Sequence, residues 1–196
     1  MTVEQLSQAV DFADQLIGAV RDDQWAGPTP CAGWSVRDLV THVVAGNSMF
    51  ASALRGGQPP AAPRGTAIPD GGLLNAFRDS AAELLGAFRE PGALDAIITV
   101  PFGTVPGAVA LHLRITELLV HGWDLARATG QPATVPGGLA EQELAFSRSK
   151  LADIPPDRRP FGPPQPEAAL APAIDQLAAL LGRDVTPRPQ ITGSGR

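Results

Sequence analysis

The chain has 196 residues, 44% hydrophobic and 18% charged, with a net charge of −5. This suits one folded domain, and an acidic balance with no basic run argues against nucleic acid as a partner. No uninterrupted apolar stretch approaches the ~18 residues that span a bilayer, and the single cysteine, Cys31, excludes an internal disulfide framework.

The start, MTVEQLSQAVDFADQL, is acidic and amphipathic and lacks the positive beginning and apolar core of a signal peptide, so a cytoplasmic location is expected. Val3, Leu6, Val10, Phe12, Ala13, Leu16, Ile17 and Val20 recur at helical spacing and predict a first helix over 3–24, ended by Gly27, Pro28 and Pro30. The second helix has clear start signals. Ser35 is its N-cap, Asp38 completes a capping-box arrangement, and Trp34 is placed to staple onto Leu39. Its apolar stripe runs Leu39, Val40, Val43, Val44, Met49, Phe50 and Leu54, with His42 beside it, until Gly56, Gly57, Pro59 and Pro60. Residues 56–72 are rich in Pro, Gly and Ala and read as a loop able to rim a site.

A third helix is expected from Leu73 to Arg89, burying Leu74, Phe77, Ala81, Leu84, Leu85 and Phe88. Ile97 to Gly107 reads as short extended pieces, because Pro101 and Pro106 disfavour a regular central strand. A fourth helix spans Ala108 to Ala128, with Gly130 as its stop. A loop at 131–136, a fifth helix over Leu139–Leu151 and a Pro-rich connector over 154–167 follow. A last amphipathic helix over Ala168–Leu181 puts Leu170, Ile174, Leu177 and Leu181 on one side. Residues 1–185 are expected to form a single domain and 186–196 a frayed tail. The fold class is all-α, a four-helix bundle with one or two extra C-terminal helices and Pro-rich loops.

The fourth helix carries the chemistry. Glu117 and His121 are four residues apart, so at ~100° per residue they lie one above the other, and Asp124 returns to the same stripe. Leu118, Leu119, Trp123 and Leu125 crowd around them, where polar groups are costly to bury unless something binds them. His112 precedes His121 by nine residues and faces the opposite side of the helix, whereas His42 lies on another helix and is free to face the pair. His42, Glu117 and His121 would supply two imidazoles and a carboxylate with open positions, the ligand set of catalytic zinc. Nickel, manganese or iron would also fit. Plainer readings stand beside this one: His42 as a hydrogen-bonded core histidine, and Glu117–His121 as an ordinary i,i+4 pair on a solvated face.

Asp124 is expected to accept a hydrogen bond from a ligand or to form a helix-face salt bridge rather than to be a fourth ligand. Arg114, one turn before Glu117, is expected to pair with a carboxylate. Trp34 and Trp123 read as packing residues, Arg158 and Arg159 as solvated charges, and Cys31 as a small loop residue without a catalytic role. There is no Gly-rich phosphate loop, no Gly-x-Ser-x-Gly elbow and no paired-cysteine zinc motif.

Residues 29–44, TPCAGWSVRDLVTHVV, resemble the first motif of the mycothiol-dependent maleylpyruvate isomerase N-terminal domain family, and residues 115–130, ITELLVHGWDLARATG, resemble its second. That family belongs to the DinB-like group of metal-binding four-helix bundles. The closing stretch FGPPQPEAALAPAIDQLAALLGR resembles the tails of an uncharacterised branch of metal-binding proteins, so the likeness runs along essentially the whole chain. The resemblance implies a divalent metal, zinc in the isomerase, held by His42 of the first motif and by Glu117 and His121 of the E-x-x-x-H pair. It also implies mycothiol or a similar low-molecular-weight thiol, which the metal activates to attack a small electrophile in a transferase- or isomerase-like reaction. The isomerase has a further C-terminal domain that contributes to its active site, for which 196 residues leave no room. Rival readings are a non-catalytic metal-binding module or sensor of the same fold, and a hydrolase using metal-bound water. A monomer or homodimer is expected, with neither nucleic acid nor membrane as a partner.

Overall fold

Ser35 and Asp38 open the second helix as their spacing requires. The Ser35 N–H donates to the Asp38 carboxylate at 2.9 Å, and the Asp38 N–H donates back to the Ser35 hydroxyl at 3.2 Å. A second capping box, between Thr2 and Gln5, starts the first helix. The elements come from a computed structural model described for residues 1–57, 70–101, 103–152, 154, 161–166 and 170–186, apart from the side chain of Asp70. In chain order they are α1 (Val3–Gly18), a 3-10 turn (Asp22–Gln24), α2 (Val36–Leu54), α3 (Asp70–Arg89), β1 (Ile97–Val100), β2 (Gly103–Pro106), α4 (Gly107–Thr129), α5 (Leu139–Ala152) and α6 (Ala173–Leu180).

Four of these helices close a ring. α1 packs on α4 and α3, and α2 packs on α3 and α4, so α1 and α2 lie across a diagonal and the loop between them must cross one end of the bundle. α5 and α6 pack on each other and cover the outer side of α4. Being covered on both sides explains why α4 is buried nearly all round rather than along one stripe. Large side chains such as Phe50, Phe77, Leu118 and Trp123 are almost fully buried, and each contributes about 1.5–3 kcal/mol by leaving water. Close approach of α1 to α4 depends on Gly122, where a Cβ would lie 2.3 Å from Cε1 of Phe12. Among the described residues, no helix is long and apolar enough to cross a membrane.

The extended pieces expected near residue 100 are an antiparallel hairpin pairing Ile97 with Pro106 and Val100 with Gly103. Pro106 sits at the end of its strand, where its missing N–H is tolerated. The two end helices differ from expectation. α1 stops at Gly18 rather than continuing to residue 24, because Gln24 is drawn away to donate from its amide nitrogen to the Thr129 carbonyl at 2.9 Å. That bond serves an otherwise orphaned carbonyl at the end of α4, and Trp25 tucks into the core beside it. α6 begins at Ala173, not Ala168, and Leu170 is 99% exposed instead of facing inward. Pro172 is the N-cap, and a residue before proline is pushed out of the helical region, so the register cannot extend back to Leu170. α3 starts at Asp70, three residues before the expected Leu73. Arg158, Arg159, most of the loop at 56–72 and the tail from 187 lie outside the described residues.

Candidate functional site

α2 and α4 are neighbours in the ring, and they bring the His42 and His121 imidazoles together edge to face. The ring centroids are 5.1 Å apart with planes at 80°. Trp34 closes over both imidazoles, at 4.7 Å from His42 and 6.1 Å from His121. Trp34 packs against the core as expected and also lies against both imidazoles, because a tight turn before α2 aims it there. The Trp34 N–H donates to the Cys31 carbonyl at 3.0 Å, with Gly33 at φ 81 in the position of that turn that favours glycine. The Thr29 hydroxyl oxygen lies 3.0 Å from the Trp34 carbonyl and accepts from the Cys31 N–H at 3.2 Å, pinning the turn.

His42 is half-buried, and burial, reinforced by the neighbouring His121, pushes its pKa down to about 4, against an opposing pull from Glu117. It is therefore a neutral imidazole near pH 7, with a lone pair to offer. His121 is buried, and its Nδ1 lies 3.1 Å from Oδ2 of Asp124. Because the carboxylate can only accept, Nδ1 carries a proton, and in the neutral ring Nε2 is then the nitrogen with the lone pair. Asp124 therefore accepts from His121 one turn away on the same helix. The core behind His121 is closed, leaving an apolar gap of only about 10 Å³ among residues such as Ala13, Val40 and Leu125. A gap that small and apolar admits no guest. The larger cleft, about 490 Å³ beside Ala53 and β1, is elsewhere. Ala53 is about 16 Å along α2 from His42 at 1.5 Å per residue.

Glu117 sits one turn before His121 on the same face, and here its carboxylate is engaged by Nη1 of Arg114. Arg114 is fully buried, pairs with a carboxylate as expected and also donates to the Val43 carbonyl at 3.4 Å. Gly46 makes room for it, since a Cβ there would lie 2.3 Å from Nη1. Among the described residues, the buried Nε of Arg114 and Oδ1 of Asn47 find no hydrogen-bond partner. His112 points to the other side of α4, as the helical period requires. Its Nδ1 lies 3.0 Å from the buried Glu143, which also accepts from the Thr116 hydroxyl at 2.8 Å, and its ring stacks on Phe146.

Two site residues were missed. Cys31 donates from Sγ to Asp124 Oδ2 at 3.3 Å, and Arg183 Nη2 donates to the same sulfur at 3.1 Å. Arg183 also donates to both Asp124 oxygens, from Nε at 3.3 Å and from Nη2 at 3.0 Å. Burial and then the Asp124 charge push the Cys31 thiol up to about 11, so it stays protonated. Asp124 moves the other way: burial would raise its pKa, but the hydrogen bonds from His121 and Arg183 hold it below the usual carboxylate range. Among the described residues, Cys31, His121 and Asp124 are the group whose potential donor atoms all lie within 4.8 Å of one another. A cation does not fit there, because the Arg183 guanidinium already occupies the shared oxygens and sulfur. Glu117, one turn from His121, is likewise held by a guanidinium, that of Arg114. Gly182 after the apolar run of α6 was the sequence signal that could have placed Arg183, since glycine just past a helix turns the chain sharply.

A family model described as mycothiol maleylpyruvate isomerase N-terminal domain matches residues 6–126. Two uncharacterised proteins of Mycobacterium tuberculosis, from strains CDC 1551 / Oshkosh and ATCC 25618 / H37Rv, are each 40% identical to this chain over 180 residues, 91% of it and 95% of the relative. Crystal structures of the mycothiol-dependent maleylpyruvate isomerase and of a histidine-to-alanine mutant of it are similar in fold. Their TM-scores are 0.62 and 0.61 at 20% and 19% identity, over 75% of this chain and 72% of theirs.

Proposed function

Because the chain belongs to the mycothiol maleylpyruvate isomerase N-terminal domain family, we propose that it is a divalent-metal protein that uses a low-molecular-weight thiol in transferase- or isomerase-like chemistry. His42, Glu117 and His121 are the proposed ligands. The observation that carries this reading is the His42–His121 pair. Two imidazoles from different helices meet at 5.1 Å, and the far nitrogen of one is tied to a buried carboxylate. Hydrogen bonding of the second ring nitrogen is how proteins orient a metal-bound histidine. Glu117, one turn from His121, would complete a two-imidazole, one-carboxylate set, with one oxygen for an ion while the other keeps Arg114. Such a set leaves positions open, suits zinc first and also accommodates nickel, manganese or iron.

When bound, the ion would supply the positive charge that holds a guest thiol as thiolate near neutral pH. The protein's residues do the rest. Trp34 and the two imidazoles wall the guest, and the sealed core behind His121 confines it to the Trp34 side. Cys31 is not the nucleophile, since its thiol stays protonated and committed to Asp124. The reactive sulfur therefore comes from a free thiol, with mycothiol, named for the similar structures, as the candidate. That sulfur would add to an electrophilic carbon of a small unsaturated substrate, whose π bond breaks as the S–C bond forms and whose released electron pair takes a proton from water. A cytoplasmic monomer or homodimer without nucleic-acid or membrane partners fits this role. Calorimetric titration of the zinc-loaded protein with a low-molecular-weight thiol tests it. Binding that vanishes in the metal-free protein is expected; no thiol binding, with zinc only raising the melting temperature, would favour a structural module or sensor.

A further inference from the structure

We propose that Arg183 is a positioning residue of the metal centre: it clamps Asp124 from the C-terminal segment and thereby holds the His121 imidazole with Nε2 facing the ion. This rests on the metal reading above. Asp124 is fully buried and takes four contacts, from Arg183 Nε on Oδ1 and from Arg183 Nη2, His121 Nδ1 and the Cys31 thiol on Oδ2. The Arg183 contact alone is both ionic and two-pronged, and a guanidinium fork fixes the plane of a carboxylate as well as its place. Without it the carboxylate is free to rotate away from His121.

The path of the chain delivers Arg183 to this spot. α6 ends in a Schellman motif, in which the Gly182 N–H donates to the Ala179 carbonyl at 3.0 Å and the Arg183 N–H to the Ala178 carbonyl at 2.9 Å. Gly182 stands at φ 89, and a Cβ there would meet Cα of Gly162 at 2.9 Å, so only glycine makes the turn. Arg183 then folds back, with Nη1 donating to the Leu181 carbonyl at 2.9 Å, and its side chain is only 10% exposed. The segment has its own anchors elsewhere. Leu177 and Ala178 are in the core, the Trp123 indole N–H donates to Asp175 at 2.6 Å, and Arg127 donates to the Thr186 carbonyl at 2.8 Å. Docking of the segment therefore does not need the guanidinium, which is left to act on Asp124.

The test compares Arg183→Met and Arg183→Lys with the wild type, using Arg127→Gln as a variant that loosens the same segment without touching Asp124. Zinc affinity is measured by competition with a chromophoric chelator, and the His121 Nδ1–H resonance is followed in the metal-free protein. Arg183→Met is expected to weaken zinc binding about 10–100-fold, the usual effect of losing a partner behind a ligand, with the Nδ1–H signal lost to solvent exchange. Arg183→Lys should fall between, since an ammonium is a point charge rather than a fork. Arg127→Gln should bind zinc as the wild type does. Unchanged affinity in Arg183→Met, or equal weakening in Arg127→Gln, overturns the inference. If the methionine variant fails to fold, the lysine variant decides by the same criterion. A wild type that binds no zinc, or binds it regardless of His121→Ala, sinks the metal reading and this inference with it. That outcome is distinct from tight, His121-dependent binding that Arg183→Met leaves intact.

Discussion

Glycine-to-alanine changes inside helices ordinarily stabilise, and Gly46→Ala is predicted to do the reverse. The added Cβ would lie 2.3 Å from Nη1 and 3.2 Å from Cζ of Arg114. Arg114 is fully buried and cannot swing into water, so it must leave Glu117, the Val43 carbonyl or both. Overpacking costs about 1–3 kcal/mol, and losing a hydrogen bond to a charged group costs about 1.5–3 kcal/mol. The gain in helix propensity is about 1 kcal/mol. The balance is a loss of roughly 3 kcal/mol, or about 6–12 °C in a domain of this size. Thermal and urea unfolding of the metal-free protein read it directly. In an Arg114→Met background the clash is gone, and Gly46→Ala should turn neutral or stabilising, a coupling that a double-mutant cycle isolates. A rise in melting temperature in the wild-type background would refute the cradle.

Gly122→Ala should also destabilise, by about 1–3 kcal/mol, since its Cβ would press on Phe12 at the α1–α4 contact; melting curves check this. Burial pushes Glu143 from 4.5 up to about 7, against its Thr116 hydrogen bond and the N-terminal ammonium. Its protonated form is thus favoured by folding, so its contribution is complete below pH 4.5 and is lost as pH rises to 7. His112 opposes it, depressed from 6.5 to about 4 by burial, the N-terminus and Lys150. Glu143→Gln, which removes only the carboxylate's share, should gain stability relative to wild type between pH 5 and 7.5 in urea titrations, and a flat difference would contradict the burial argument. The Cys31 thiol, held near 11, should react far more slowly with iodoacetamide in the native protein than after unfolding.

Local chemistry made much of this molecule legible. The Ser35–Asp38 box, Gly130 in its left-handed cap and His112 turning away from His121 all follow from spacings of a few residues. The meeting of His42 with His121 could be anticipated only as a freedom, because the ring order of the helices is a tertiary fact. Cys31 and Arg183 were invisible for the same reason, since they reach Asp124 across 93 and 59 residues of chain. Leu170 was misplaced because its spacing suited the apolar stripe while Pro172 forbade the helix that would have used it. Gly46 looks like an ordinary helix glycine until Arg114 is seen against it.

The most direct measurement is elemental analysis of the purified protein after zinc loading and desalting, alongside His42→Ala, His121→Ala and Cys31→Ser. One zinc per chain is expected in the wild type and in Cys31→Ser, with zinc lost from both histidine variants. Zinc retained at full occupancy in either histidine variant, or lost on replacing Cys31, would contradict the account.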